Sequence, residues 1–222
     1  MTRSSPAIPY LAPFAVFLAF LALHSVWPLP DLTDQVVRIV GTGLVILLVS
    51  RQVLDFRVQA VLGSLLVGAG IFVVWVGPDL LWPGYRHFWL FENAITGKMQ
   101  TSLSAEGHGS AAVLALRTIR AVVIVPIVEE LFWRGWLMRW LIAADFRQVP
   151  LGQYTASSFW IVAVMFATEH GPYWDVGLIA GIIFNAWMIR TKSLGDLILA
   201  HAVANACLSA YVIAMGKWEY WL

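Results

Sequence analysis

Apolar residues run in long blocks along this chain, and polar residues are confined mostly to the gaps between them. A helix that crosses a bilayer needs about 20 apolar residues. Blocks near that length fall at 8–27, 36–50, 58–77, 111–128, 157–170, 174–190 and 195–214. The pattern predicts an all-α fold, a polytopic transmembrane helical bundle of about seven spans. The fourth block continues past two glutamates to about Ala144, so one long helix over 111–144 is expected there. Residues 78–110 are the longest polar-leaning stretch. Pro83, Gly97, Gly107 and Gly109 predict a loop, and the aromatics of "GYRHFWLFENAI" predict an interfacial helix inside it.

The fifth block is short. "SSFWIVAVMFATEHGP" allows only about 20 Å of helix, at about 1.5 Å per residue, before Gly171 and Pro172 break it. A hydrocarbon core is about 30 Å thick. Glu169 and His170 are therefore expected within the membrane, where irregular backbone survives only against protein or a water-filled cavity.

Composition agrees with the blocks. The 222 residues are 60% hydrophobic and 12% charged, with a mean hydropathy of +0.77. A soluble domain is closer to half apolar and a quarter charged. The expectation is a single transmembrane domain over 1–222, with its chemistry concentrated in about 110–210. The N-terminal block lacks a small-residue cleavage site and reads as a retained span. A net charge of +1 points to no nucleic-acid partner. The single cysteine, Cys207, excludes an internal disulfide and a Cys-based zinc cage. Arg3, Arg51, Arg57, Arg134, Arg139, Arg147, Arg190 and Lys192 fall on one side of the spans, which predicts a cytoplasmic N-terminus.

Inside this apolar background, "PIVEELFWRGWLMRW" carries two adjacent glutamates and an arginine. Ionisable residues within a span are costly and point to function by default. Adjacent helical residues point about 100° apart, so Glu129 and Glu130 face different neighbours. Glu130 and Arg134 are spaced for a salt bridge. That pairing would leave Glu129 free for general-base work. Pro126 removes an N–H and disturbs the helix beside the site. His170, one helical turn after Phe166, is a candidate general base or water-orienting partner, or a helix-end cap. Glu169 reads as a structural pair for an arginine. His201 and Asn205 share a helical face and make either an oxyanion hole or an interhelical hydrogen-bond pair. Gly177 and Gly181 read as a packing stripe, Asn185 as a packing residue that could instead line the cavity, and Cys207 as a small apolar filler. Both glutamates could instead be glue between helices, neutralised by Arg134 and by Arg117 or Arg120.

Other intramembrane chemistries lack their motifs. There is no HExxH zinc site, no GxGD aspartyl motif ("SLGD" misses the first glycine) and no GxSG serine motif.

Glu129-Glu130-xxx-Arg134, Phe166-xxx-His170 and His201-xxx-Asn205, in that order, resemble the EExxxR, FxxxH and HxxxN motifs of the CAAX protease and bacteriocin-processing family. Its intramembrane proteases are similar to the type II CAAX prenyl endopeptidase. "EELFWRGWLMRWL" also resembles a bacterial subgroup that accompanies exosortases. The resemblance implies that Glu129 and His170 activate water, that His201 and Asn205 stabilise the oxyanion, and that Glu130, Arg134 and Phe166 support the geometry. It implies a membrane-anchored or lipidated peptide or protein substrate and a bacterial inner-membrane location. No cofactor is expected; if a zinc ion took part, Glu129, His170 and His201 would be its ligands. The family also contains scaffold and immunity-type proteins, so a non-enzymatic role is the alternative. A transporter is disfavoured by the lack of internal repeats.

Overall fold

The structure, a computed structural model, describes residues 5–221 and is helical nearly throughout. Arg3, one of the orientation markers, lies outside the described residues. The helices are α1 (Ile8–Val26), α2 (Asp31–Ser50), α3 (Val61–Leu81), the short α4 (Ala105–Gly109), α5 (Ala111–Trp140), α6 (Ala156–Thr168), α7 (Trp174–Thr191) and α8 (Leu194–Met215). Six of these are long and apolar enough to cross a membrane, and α6, with 13 residues, is a shorter apolar helix. The protein is thus a polytopic helical bundle of about seven spans. Leucines and valines such as Leu48, Leu62, Leu66 and Val73 face outward. That outer surface suits hydrocarbon, because lipid tails are as apolar as leucine.

Local chemistry sets the helix ends. Ser110 caps α5, Thr155 caps α6 and Ser193 caps α8, each by accepting a backbone N–H three residues on. Helix α2 begins at Asp31 and not near residue 36, because Pro30 ends the preceding turn and polar Asp34, Gln35 and Arg38 are buried inside the bundle. The Arg38 guanidinium meets the Asp34 carboxylate at 2.8 Å. Helix α3 runs through Pro78 to Leu81, so the loop starts later than predicted. Helix α5 ends at Trp140, short of Ala144. The Arg139 guanidinium donates to the carbonyls of Gly135, Phe146 and Val149, which folds the following loop back.

The interfacial helix expected over 84–95 does not form; only a single 3-10 turn, Tyr85–His87, is present. Gly84 has a φ of 84°, which breaks any helix at its start. Arg86 is then drawn inward. It pairs with Asp79 and Asp175, donates to the Pro172 carbonyl at 3.0 Å and lies over the Tyr173 ring. The segment is thereby clamped onto the α6–α7 turn. Arg134, counted as a loop charge in the orientation argument, is instead buried inside α5.

Helices α3 and α8 approach closely. A Cβ at Gly68 would collide with the Ala200 carbonyl oxygen, so only glycine fits. Their first turns are tied by Asp196, which accepts from the backbone N–H groups of Gln59 and Ala60 and from the Ser64 hydroxyl. Hydrogen bonds to a charged group contribute more than neutral ones. Asp196→Ala is expected to cost about 2–4 kcal/mol, read as a lower melting temperature of the detergent-purified protein; an unchanged melting curve would refute this role.

Candidate active site

The middle of α5 does not keep a uniform helical ladder. Residues Arg120–Ile124 and Leu131–Leu137 are wound as π-turns around the short α-helical stretch Val125–Glu130. In a π-turn each N–H reaches back five residues. Val125 does so, donating to Arg120. The next residue is Pro126, which has no N–H to give the Ala121 carbonyl. The side-chain amide of Asn205 donates to that carbonyl instead, at 2.8 Å. The proline thus leaves an acceptor that α8 fills, and the substitution aligns α8 with the glutamates.

Glu130 and Arg134 form the expected ion pair at 3.0 Å, with both side chains at 0% exposure. Arg134 Nε donates to the Asn185 side-chain oxygen at 2.9 Å, and Nη2 reaches the Gly181 carbonyl at 3.5 Å. Asn185 in turn donates to the Phe159 carbonyl at 2.8 Å. The Arg134 guanidinium lies over the Phe166 ring, 4.5 Å from its centre. His201 Nδ1 meets the Glu130 carboxylate at 2.7 Å. A carboxylate in an ion pair accepts, so Nδ1 carries the proton and donates. The Nε2 atom is then the one directed to Glu129, whose Oε2 lies 4.0 Å away. With Nδ1 protonated, Nε2 can donate only when the ring is the imidazolium.

Glu129 is buried, and its Oε2 has no hydrogen-bond partner among the described residues. His170 Nδ1 lies 2.7 Å from the Phe166 carbonyl oxygen, which can only accept. Nδ1 therefore bears the proton, and Nε2 keeps its lone pair. The His170 ring lies against Phe166 and Trp75. It also rests on α7, where a Cβ at Gly177 would come within 3.2 Å of the imidazole. Gly177 is thus more than a packing stripe; it makes room for His170.

Glu169 corrects the sequence reading. It pairs with no arginine; its carboxylate accepts from Trp133 Nε1 at 2.9 Å. It converges with Glu129 and His170, one ligand atom from each lying within 4.8 Å of the others. Two carboxylates and an imidazole with a free lone pair are fitting zinc donors. This group has Glu169 where the sequence suggested His201, whose Nδ1 is committed to Glu130. Neither Arg117 nor Arg120 is among the ion-pair partners of the glutamates. Asn185 is a missed site residue. Its signal was a lone amide in an apolar helix.

Glu129, Glu169, His170, His201 and Asn205 all line one cavity of about 240 Å³. Residues of α1 and α3, among them Phe17, Leu18, Leu21 and Trp75, form its apolar walls. Residues 111–207 match the family model for Rce1-like proteins, described as type II CAAX prenyl endopeptidase Rce1-like. The match covers 97 of the 222 residues, and over that part the chain is similar to this family. The Rce1-like region begins with α5 and ends inside α8, so it contains every residue of the polar cluster. That similarity supports a peptidase of the CAAX type, carried by a membrane-spanning bundle. No curated protein and no solved structure matched the chain.

Arg134→Ala leaves Glu130 buried without its counter-ion and is expected to cost about 3–5 kcal/mol. Glu129→Gln removes no paired group and is expected to cost less than about 1 kcal/mol. Thermal unfolding of both variants checks this contrast.

Proposed function

We propose that this protein is an intramembrane endopeptidase that hydrolyses a peptide bond of a membrane-anchored or lipidated substrate with a directly activated water. The observation that carries the reading is the Glu129 oxygen, without a partner among the described residues, in a cavity shared with His170, His201 and Asn205. Glu129 accepts a proton from the water as it attacks the carbonyl carbon. His170, through Nε2, orients that water and shares its protons. The tetrahedral intermediate carries its charge on the former carbonyl oxygen. His201 Nε2–H and the remaining Asn205 N–H are the donors for that oxygen. The intermediate then collapses, the C–N bond breaks, and the amine leaves with the proton that Glu129 held. Glu130, Arg134 and Phe166 touch no reacting atom; they hold the two histidines by the contacts described above.

Leu18 and Leu21 line the cavity and are also exposed on the outer face of the bundle, which supports entry of the substrate from the bilayer. The protein is proposed to reside in a bacterial cytoplasmic membrane, with its N-terminus in the cytoplasm. A bound zinc ion, held by Glu129, Glu169 and His170, would polarise the same water. The proposed mechanism needs none, because a carboxylate and an imidazole lone pair already provide base and orientation.

Glu129→Gln and His170→Ala are each expected to lower cleavage of lipidated peptides by about two to four orders of magnitude, with melting temperatures close to the parent's. Normal cleavage by Glu129→Gln refutes the mechanism, and loss of the fold in that variant favours a scaffolding role. Activity is also expected to survive dialysis against a chelator. Loss on dialysis with recovery on added zinc would assign the metal route.

A further inference from the structure

The same cavity has a basic end that the proposed hydrolysis does not use. Arg117 and Arg120 line it, in the second and third turns of α5, together with Ser209, Tyr220 and Trp221. Arg120 is only 4% exposed, and its Nε and Nη1 have no hydrogen-bond partner among the described residues. A buried, unpaired guanidinium is costly, and native proteins satisfy or use such groups. Among the described residues, the charges that act on it include Arg117, Arg38 and Asp34. Asp34 is already held by Arg38 and by the His24 ring. Among the described residues Arg120 forms no ion pair, and the Asp34 carboxylate is committed elsewhere.

We propose that Arg120 is the seat for a carboxylate of the peptide substrate, a specificity-determining contact at the far end of the catalytic cavity. This rests on the hydrolytic reading above. The cavity is polarised: the carboxyl groups of Glu129 and Glu169 stand at one end, and Arg120 attracts an anion at the other. A peptide with a negative group is thereby threaded in one direction. Arg120 and Glu129 are nine residues apart in α5, roughly 13 Å along a helix axis. An extended peptide covers that distance in about four residues. The carboxylate should therefore lie about four residues from the bond that is cut. It can be the chain's terminal carboxylate or an acidic side chain; the chemistry at Arg120 is the same.

The test measures binding in the uncleaving Glu129→Gln full-length protein, purified in detergent, by calorimetry. The probes are N-acylated peptides of one neutral sequence: a free acid, its C-terminal amide, and a set of amides with one glutamate moved along the chain. The free acid or one of the glutamate amides is expected to bind at least about tenfold tighter than the neutral amide. Which of them does so identifies the source of the carboxylate. Arg120→Gln should bring that preference to within about twofold, and Arg120→Lys should keep part of it. Arg120→Gln should melt no lower than the parent, because it removes a buried charge that forms no ion pair among the described residues. Should Arg120→Gln fail to fold, the preference in the Arg120 protein and its reduction in Arg120→Lys decide.

Equal binding of all the probes overturns the proposal, as does a preference that survives Arg120→Gln. Co-purification of phosphatidylglycerol with the Arg120 protein but not with Arg120→Gln, alongside equal peptide binding, overturns it in favour of a lipid-headgroup seat. Because binding is read without turnover, failure of the Glu129 mechanism shows up separately, as cleavage by the Glu129→Gln protein.

Discussion

The Glu130–Arg134 pair is the constraint on which the rest of this bundle depends. Two full charges at zero exposure lose their hydration, and their attraction offsets that loss only if every remaining donor and acceptor is also satisfied. The structure meets that condition with groups from other helices. Asn185 and the Gly181 carbonyl come from α7, His201 comes from α8, and Asn185 is itself held by the Phe159 carbonyl of α6. One ion pair in α5 therefore fixes the rotation of three neighbouring helices. Its neighbour Glu129, turned about 100° away on the same helix, is left facing the cavity.

The irregular backbone follows the same logic. Pro126 removes an N–H exactly where the π-turn would have used it, and Asn205 supplies the missing donor. The α6 helix stops after 13 residues, so its polar end lies beside Glu129 and not in bulk water. Arg86 covers that turn by binding the Pro172 carbonyl, and Gly177 allows α7 to approach the His170 ring. These local departures from ideal helix all surround one cavity. Departures of this kind gather at functional sites, where local rules yield to the requirements of chemistry.

Much of this was legible in the sequence, for a physical reason. Spans are written as blocks of apolar residues, and the Glu130–Arg134, Phe166–His170 and His201–Asn205 pairs are one-turn spacings on single helices. Periodicity reports such local relations directly. Relations between helices leave no such trace. Glu169 reads as an arginine partner because nothing in "FATEH" reveals that Trp133 and Glu129 lie opposite it. Asn185 reads as packing because its partner Arg134 is 51 residues away. The aromatic stretch 84–95 looks helical by composition, but Gly84 and the inward pull on Arg86 are tertiary facts. The basic end of the cavity is hidden for the same reason, since only the fold brings α5, α8 and residues 218–221 to one space.

The central claim is that Glu129 and His170 act on one water. The most direct measurement is a double-mutant comparison of lipidated-peptide cleavage by Glu129→Gln, His170→Ala and the combined variant. Groups that work as a unit lose little more together than either loses alone. The account predicts that the double variant cleaves within about tenfold of the weaker single variant. Independent losses that multiply, so that the double variant falls further by the full factor of each, would contradict it.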